Sequence, residues 1–584
     1  MRNAWPAKML IGLALVGASL YIYRLTLQHD FVWDSVWYLR YNEYWLTSLR
    51  PEHLVWMTVS MPLSNWHPLT WLSWAFDYQL YGGLAPRGFH LTNNLLHAFN
   101  SVGVFALLYL LLRLPRQLCS RAARGPALAA SGLSALLFAL HPQHVESVAW
   151  VAQRKDLLFQ LFALFSLFNY VQYGAQLGRS PQRKLGWSLF WYACACLSKP
   201  MAVTFPALLL LVDAFPLRRV ASLQSDKSKV ASIGSLLREK IPFFLLAGGL
   251  IAVTLVAQQE AMKNVGLDLR VLNAFHAIQF YLQNSLLPLN LSPFHPYFMD
   301  PSNAPSLRDA APVALFVAIS ILACIAFQRG QPGWLVGWLF FLVAMSPVLG
   351  IVAAFGLQGA ASRYTYFSML PAFALVAAGL LRVFEARHRT LAVMTAVVTI
   401  FASVWLAQGT TRYVSVWKNQ VTLWSHALHV YPNAPFINHQ LGAAFIEENK
   451  FEEAAPFLDR ATELGSTRID LLGWRGLVHL YLDHFEKALD IHSQLWKHGL
   501  TRQPPTVDMH CVAYNQGWLL ARLERLEASK SEFERLPIDS PYAEVTRTWM
   551  RWIDTGGGDV AGLPGPCIAP LVQMRRRPLK ATSG

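Results

Sequence analysis

Residues 311–327 read APVALFVAISILACIAF, an apolar run without a charged residue. Its length approaches the roughly 20 residues needed to cross the hydrocarbon core of a bilayer. Runs of the same kind recur at 9–25, 90–112, 126–141, 157–174, 186–198, 201–217, 241–257, 333–351, 364–381 and 390–408, and then stop. Together they predict an all-α, polytopic membrane domain over residues 1–408, with about 11 transmembrane helices. The short pair 186–198 and 201–217 hinges on Lys199 and Pro200. No small-residue cleavage site follows the first run before Arg24, so that run is expected to be an uncleaved anchor.

Composition agrees with this reading. Of 584 residues, 54% are hydrophobic and 14% charged, with a mean hydropathy of +0.31; soluble domains carry roughly 25% charged residues. A single soluble domain, a disulfide-rich secreted domain and a disordered chain are thereby excluded. The six cysteines, with Cys194 and Cys196 inside an apolar run, make neither a disulfide framework nor a zinc pattern and read as buried apolar residues.

A net charge of +15 would first suggest nucleic acid in a soluble protein. Its location argues otherwise. Arg2 and Lys8, then Arg113, Arg116, Arg121 and Arg124, then Arg179, Arg183 and Lys184, the segment 218–240, and finally Arg382, Arg387 and Arg389 occupy alternate loops. Positive loops stay cytoplasmic, so the excess is topological and no nucleic-acid partner is expected. Counting 271–288 as a crossing would invert the later loops. It contains Asn273, His276, Gln279, Gln283 and Asn284, and is read as a re-entrant or interfacial helix on the outer side. An inside N-terminus then places the loops 26–89, 142–156, 258–310 and 352–363, and the C-terminal region, outside.

From residue 409 the composition becomes that of a soluble helical domain. Gly442, Phe451 and Ala454 recur as Gly476, Phe485 and Ala488 with an offset of 34, and Gly517, Leu526 and Ser529 make a degenerate third unit after an insertion around Pro504 and Pro505. That period is the tetratricopeptide signature, and three units are about the minimum for a stacked core. The repeat domain is expected over 409–554. Residues 555–584, rich in Gly and Pro and carrying Arg575, Arg576 and Arg577, are expected to be a disordered tail.

Ionisable groups beside a bilayer are costly unless they pair or work, and three outer clusters stand out. Asp34 lies in His29-Asp30-Phe31-Val32-Trp33-Asp34-Ser35, where a carboxylate could serve as general base towards a hydroxyl; a helix N-cap is the structural alternative. Asp30 is read as structural. In the stretch from His141 to Asp156, a helix would stack Glu146, Trp150 and Arg154 on one face, with Lys155 adjacent, suiting a phosphate. An anchoring ion network is the alternative, and His141, His144 and Glu146 leave a metal site open as a third reading. In Ser362-Arg363-Tyr364-Thr365-Tyr366, an arginine on the outer side asks for a partner, either a phosphate or a snorkelling position with belt tyrosines. The stretch 65–71, with His67, reads as an interfacial helix.

Asn65 to Ser73 (NWHPLTWLS), His90 to His97 (HLTNNLLH), His141 to Leu157 (HPQHVESVAWVAQRKDL) and Ser198 to Val203 (SKPMAV) resemble bacterial membrane proteins with C-terminal tetratricopeptide repeats. Those are similar to the transmembrane and tetratricopeptide-repeat O-mannosyltransferases. The resemblance implies a GT-C-like membrane domain followed by a repeat solenoid, in an enzyme that uses a lipid-phosphate sugar on the outer face. It also implies an acidic catalytic residue in the first outer loop, which here is Asp34. The family's acidic motif has two adjacent acids, and the second is replaced by Ser35. Arg154, Lys155 and Arg363 are the implied ligands of the donor phosphate, with His67, His141, His144, Glu146, Asp156, Tyr364 and Tyr366 in support.

The expectation is a multi-pass inner-membrane glycosyltransferase that moves a sugar from a polyprenyl-phosphate donor to a hydroxyl, such as Ser or Thr of an envelope protein. No cofactor is required, with a divalent metal as the open alternative. The periplasmic repeats would meet acceptor or partner proteins. The rival readings are a non-catalytic envelope scaffold and an enzyme acting on polysaccharide or lipid.

Overall fold

A computed structural model describes residues 5–41, 46–114, 124–177, 180–220, 233–259, 262–263, 265–298, 309–351, 354–355, 358–386, 388–466, 468–500, 508–558, 560 and 562–567. The chain forms two compact units, Met1–Asn419 and Gln420–Gly584.

The first unit begins with α1 (Trp5–Ile22), α2 (Pro51–Val59), α3 (Pro68–Tyr81), α4 (Pro86–Leu112), α5 (Arg124–Ala139), α6 (Val145–Ala149), α7 (Arg154–Gly174), α8 (Pro181–Cys196) and α9 (Phe205–Ala214). It continues through α10 (Ile233–Gln258), β1 (Met262–Lys263), α11 (Leu267–Leu286), α12 (Ala310–Gln328), α13 (Pro332–Met345), β2 (Ala354–Phe355), α14 (Thr365–Ser368), α15 (Leu370–Glu385) and α16 (Arg389–Val416). The two short strands pair antiparallel, Met262 with Phe355. Everything else regular in this unit is helical.

Among the described residues, six helical segments are long and apolar enough to span a membrane: α1, α4, Val151–Gly174, α10, α12 and α16. Two more form only as bent pairs, Arg124–Ala139 with Pro142–Ala149 at 52° and Ser362–Ser368 with Leu370–Glu385 at 54°. Pro142 and Pro371 lie near these breaks, where a missing N–H and the ring clash interrupt the helical ladder. The stretches 186–198, 201–217 and 333–351 form shorter helices. Of the eleven expected spans, six, or eight with both bent pairs, thus form helices of spanning length and apolarity among the described residues. The stretch 271–288 forms α11, which is not among the spanning helices. Its buried Asn273 donates to the Gly359 carbonyl at 3.2 Å and accepts from the Phe298 N–H, so its polar residues hold loops together.

The second unit comprises α17 (Gln420–Val430), α18 (Pro435–Glu447), α19 (Phe451–Glu463), α20 (Ile469–Tyr481), α21 (Phe485–Leu500), α22 (Met509–Arg522), α23 (Leu526–Glu534) and α24 (Ala543–Asp554). The recurrent glycines sit where paired helices approach closely. A Cβ on Gly442 would lie 2.6 Å from Leu458, and one on Gly517 would lie 2.6 Å from Phe533. Ala454, Ala488 and Ser529 are buried on the facing helices.

Two expectations are corrected here. Cys511 and Cys567 are disulfide-bonded, so they are not simply buried apolar residues. Cys324 is exposed. Residues 562–567 are also part of the fold: Trp549 donates to the Pro564 carbonyl, Tyr514 to that of Gly565, and Asn515 pairs with the Cys567 backbone in both directions. Residues 568–584, including Arg575 to Arg577, lie outside the described residues, as do Pro504, Pro505 and the basic loop residues Arg2, Arg116, Arg121, Arg179, Lys227, Lys229 and Arg387.

Candidate functional site

The site forms where the segment after α1 meets the start of α7 and the turn before α14. Trp33 adopts a left-handed backbone with φ 51°, a strained conformation for a bulky residue. Its ring stacks on Trp150 at 4.5 Å and 9°, and Trp150 in turn stacks on Trp417. Ser35 is buried, and its hydroxyl accepts the Ala152 N–H at 3.0 Å, tying this segment to the turn that opens α7. The position at which the resemblance implies a second acid is thus occupied by a hydroxyl engaged with backbone.

Three acids around the site are neutralised by partners. Glu146 forms an ion pair with Arg363 and also accepts the Arg363 backbone N–H at 3.0 Å. Asp156 pairs with Lys199 and accepts from Ser147. Asp77 pairs with Arg154 at 2.5 Å. Asp34 is different: among the described residues its carboxylate carries no hydrogen bond or ion pair. Burial raises its pKa, and the opposing pull of the Lys155 and Arg363 charges does not cancel that effect. Nearby Tyr38 is also pushed up, by burial first and then by the Asp34 charge, while Asn65 donates to its hydroxyl at 3.0 Å.

Lys155 likewise makes no hydrogen bond or ion pair among the described residues. Both side chains are half-buried, and a half-buried ammonium and carboxylate that make no hydrogen bond or ion pair among the described residues are candidates to meet a ligand. His67 adds to this set. It is 2% exposed, and neither ring nitrogen makes a hydrogen bond of good geometry among the described residues. Burial, and then the Lys155 and Lys199 charges, hold its pKa well below the usual range, so the ring is neutral.

The single helical face expected for Glu146, Trp150 and Arg154 does not exist. α6 ends at Ala149, Trp150 is extended at ψ 108°, and α7 starts afresh at Arg154. The break sends the two charged residues to different partners. Arg154 is fully buried; besides Asp77 it binds Asn93 Oδ1 at 2.8 Å, the Phe89 carbonyl at 2.8 Å and the Ser73 carbonyl at 3.3 Å. All three of its nitrogens are engaged, so it braces α3 and α4 against α7 and is withdrawn as a phosphate ligand.

His141, His144 and Tyr366 are also placed elsewhere. His141 binds the Ser285 carbonyl, His144 the Phe138 carbonyl, and Tyr366 bonds His97 at 2.7 Å and Asn100 at 3.3 Å. They form interhelical polar contacts that hold the bent helix pairs together. With Glu146 committed to Arg363, the three groups of the metal reading do not converge.

Arg363 remains at the site, 12% exposed in its side chain, with Nη2 bonded to Gln358 at 2.8 Å and Tyr364 at 3.2 Å. Tyr364 lies under both Arg363 (4.7 Å) and Lys199 (5.3 Å), a cation–π contact that positions the two charges. Lys199 is the site residue that sequence reasoning missed. Its signal was a lysine interrupting the apolar run 186–217 within SKPMAV. Asp30 bonds the Phe31 N–H and pairs with exposed Arg40, a local structural role.

No family model matches the chain. Curated relatives do. Protein O-mannosyl-transferase Tmtc2 of Drosophila melanogaster is 34% identical over 195 residues, 33% of this chain and 18% of that protein. Protein O-mannosyl-transferase tmtc2 of Xenopus laevis is 30% identical over 259 residues, 42% of this chain and 28% of that protein. Protein O-mannosyl-transferase TMTC4 of Homo sapiens is 46% identical over 98 residues, 16% of this chain and 13% of that protein. Each match thus spans less than a third of the relative's length. Over up to two-fifths of its own length, this multi-pass helical membrane protein is similar to proteins named protein O-mannosyl-transferases.

Proposed function

We propose that the protein is a membrane glycosyltransferase that moves a sugar from a polyprenyl-phosphate donor to a hydroxyl of an acceptor protein. The observation that carries this reading is the unpartnered pair Asp34 and Lys155, set among acids that all have partners. Asp34 takes the proton of the acceptor hydroxyl. The hydroxyl oxygen bonds to the anomeric carbon as the bond from that carbon to the phosphate oxygen breaks, and the electron pair leaves with the phosphate. Lys155 and Arg363 stabilise the charge that grows there. A carboxylate with a raised pKa is a stronger base than an ordinary one, and the flanking cations limit how far it rises.

The paired helices of the second unit are taken as tetratricopeptide repeats that present acceptor or partner protein. The Cys511–Cys567 disulfide fits an oxidising compartment, which supports a periplasmic location for this unit and an inner-membrane location for the first. Asp34→Asn in the purified full chain, supplied with polyprenyl-phosphate mannose and a Ser/Thr peptide, should lower transfer by about 10²-fold or more. Full retained transfer overturns the assignment of the base.

A second reading, a non-catalytic envelope scaffold, is favoured by one observation: Ser35 replaces an acid and its hydroxyl is held by Ala152. Intact masses of envelope proteins from a deletion strain and its parent separate the two readings. Loss of glycan mass supports the transferase, and unchanged masses support the scaffold.

A further inference from the structure

A cavity of about 360 Å³ lies between α4, α7, α9, α13 and α15. Its walls are apolar, including Leu111, Val171 and Leu375, and no acidic residue lines it. Arg218 and Arg382 do line it, and neither has an ion pair among the described residues; Arg218 lies against the Phe215 ring at 5.8 Å. Trp334, another lining residue in the first turn of α13, is 51% exposed, so the cavity reaches the protein surface. Gly379 lies on its wall within α15, and a Cβ there would meet nothing within 4 Å. Glycine inside a helix costs stability relative to alanine, and no neighbouring atom requires it here.

The cavity is remote from Asp34. Asn93, which binds Arg154 beside the site, and Leu111 are separated along α4 by about 27 Å at 1.5 Å per residue. The cavity therefore sits at the basic end of the bundle, the end that positive loops assign to the cytoplasm. An apolar slot that reaches the protein surface, with two unpaired guanidinium groups at the membrane surface, matches a phosphate headgroup with an acyl chain beneath it.

We propose that this cavity is a binding site for one anionic phospholipid of the cytoplasmic leaflet, with an acyl chain between α13 and α15 and its phosphate held by Arg218 and Arg382. The test uses the full-length protein, delipidated in mild detergent, supplied with phosphatidylglycerol, phosphatidylcholine or undecaprenyl phosphate, and read by intact-complex mass spectrometry. Wild type should retain one phosphatidylglycerol in preference to phosphatidylcholine. R218Q/R382Q should weaken retention by about tenfold or more, given the contribution of each cation near an anionic surface. G379F, which fills the slot, should abolish retention with both arginines intact. Equal retention of the two phospholipids, retention unchanged in the arginine variant, or preferential retention of undecaprenyl phosphate would each overturn the proposal.

Discussion

Removing the positive charge from Arg154 and from its neighbour Lys155 is expected to affect stability to very different extents. Arg154 is fully buried, pairs with Asp77 at 2.5 Å and supplies hydrogen bonds to Asn93 and two carbonyls. Arg154→Gln strands the Asp77 carboxylate, which is 2% exposed in its side chain. Breaking a buried pair from one side costs about 3–5 kcal/mol, and the orphaned acceptors fall within that figure because the penalties of one network do not add. The double variant D77N/R154Q removes both charges and should recover about half of the loss. Lys155 makes no hydrogen bond or ion pair among the described residues, and its charge acts on Asp34 only through space. Lys155→Gln removes a half-buried ammonium and should change stability by less than about 1 kcal/mol, while weakening capture of the lipid-phosphate donor. Unfolding midpoints of the purified protein in detergent, with donor titrations on the same samples, report both effects. If R154Q melts like wild type but loses donor binding, the assignment of Arg154 to bracing is wrong. If K155Q is destabilised as much as R154Q, the claim that Lys155 is reserved for a ligand fails.

Three further outcomes follow. Burial raises the Asp34 pKa, so its protonated form favours the fold. That contribution is complete below the ordinary carboxylate range of about 3.9 and is lost as the pH rises through the raised value. D34N should therefore melt above wild type at pH 7 and level with it in acid, while wild-type transfer falls as the pH drops through the same raised pKa; a D34N protein that melts lower at pH 7 contradicts this. Replacing both Cys511 and Cys567 with serine should cost the second unit about 4 kcal/mol by the loop-closure model for their separation of 56 residues, measured by denaturant unfolding, and unchanged stability would refute the cross-link. Gly442→Val drives a side chain into Leu458 and should cost about 1–3 kcal/mol, seen as a lower melting midpoint, whereas Gly465→Val, with open space but φ 84°, tests backbone strain alone.

Much of this protein was legible residue by residue. The stretches read as spans are all helical, because a run of apolar residues in lipid can satisfy its backbone only within itself. The 34-residue offset located the close approach of Gly442 and Gly476 to their partner helices. Asp34 stood out because an acid beside a membrane must either pair or work. What was not legible were the pairings. Arg154 and Lys155 are adjacent and look alike in the sequence, yet one is saturated and the other free. Their difference arises from a helix break at Trp150 and from Asp77, which lies 77 positions up the chain from Arg154. The Cys511–Cys567 bond was missed for the same reason: two cysteines far apart in sequence carry no local signal of each other.

By itself, then, the sequence determined which segments form apolar helices, where the 34-residue period lies and which loops gather charge, since periodicity, length and hydropathy are properties of contiguous residues. Only the tertiary structure decided which charges neutralise one another. Glu146 with Arg363, Asp156 with Lys199 and Asp77 with Arg154 are long-range pairs fixed by packing. What those pairings leave over, Asp34, Lys155 and the ring of His67, stands beside the partly exposed Arg363 as the group of residues with chemistry still to offer.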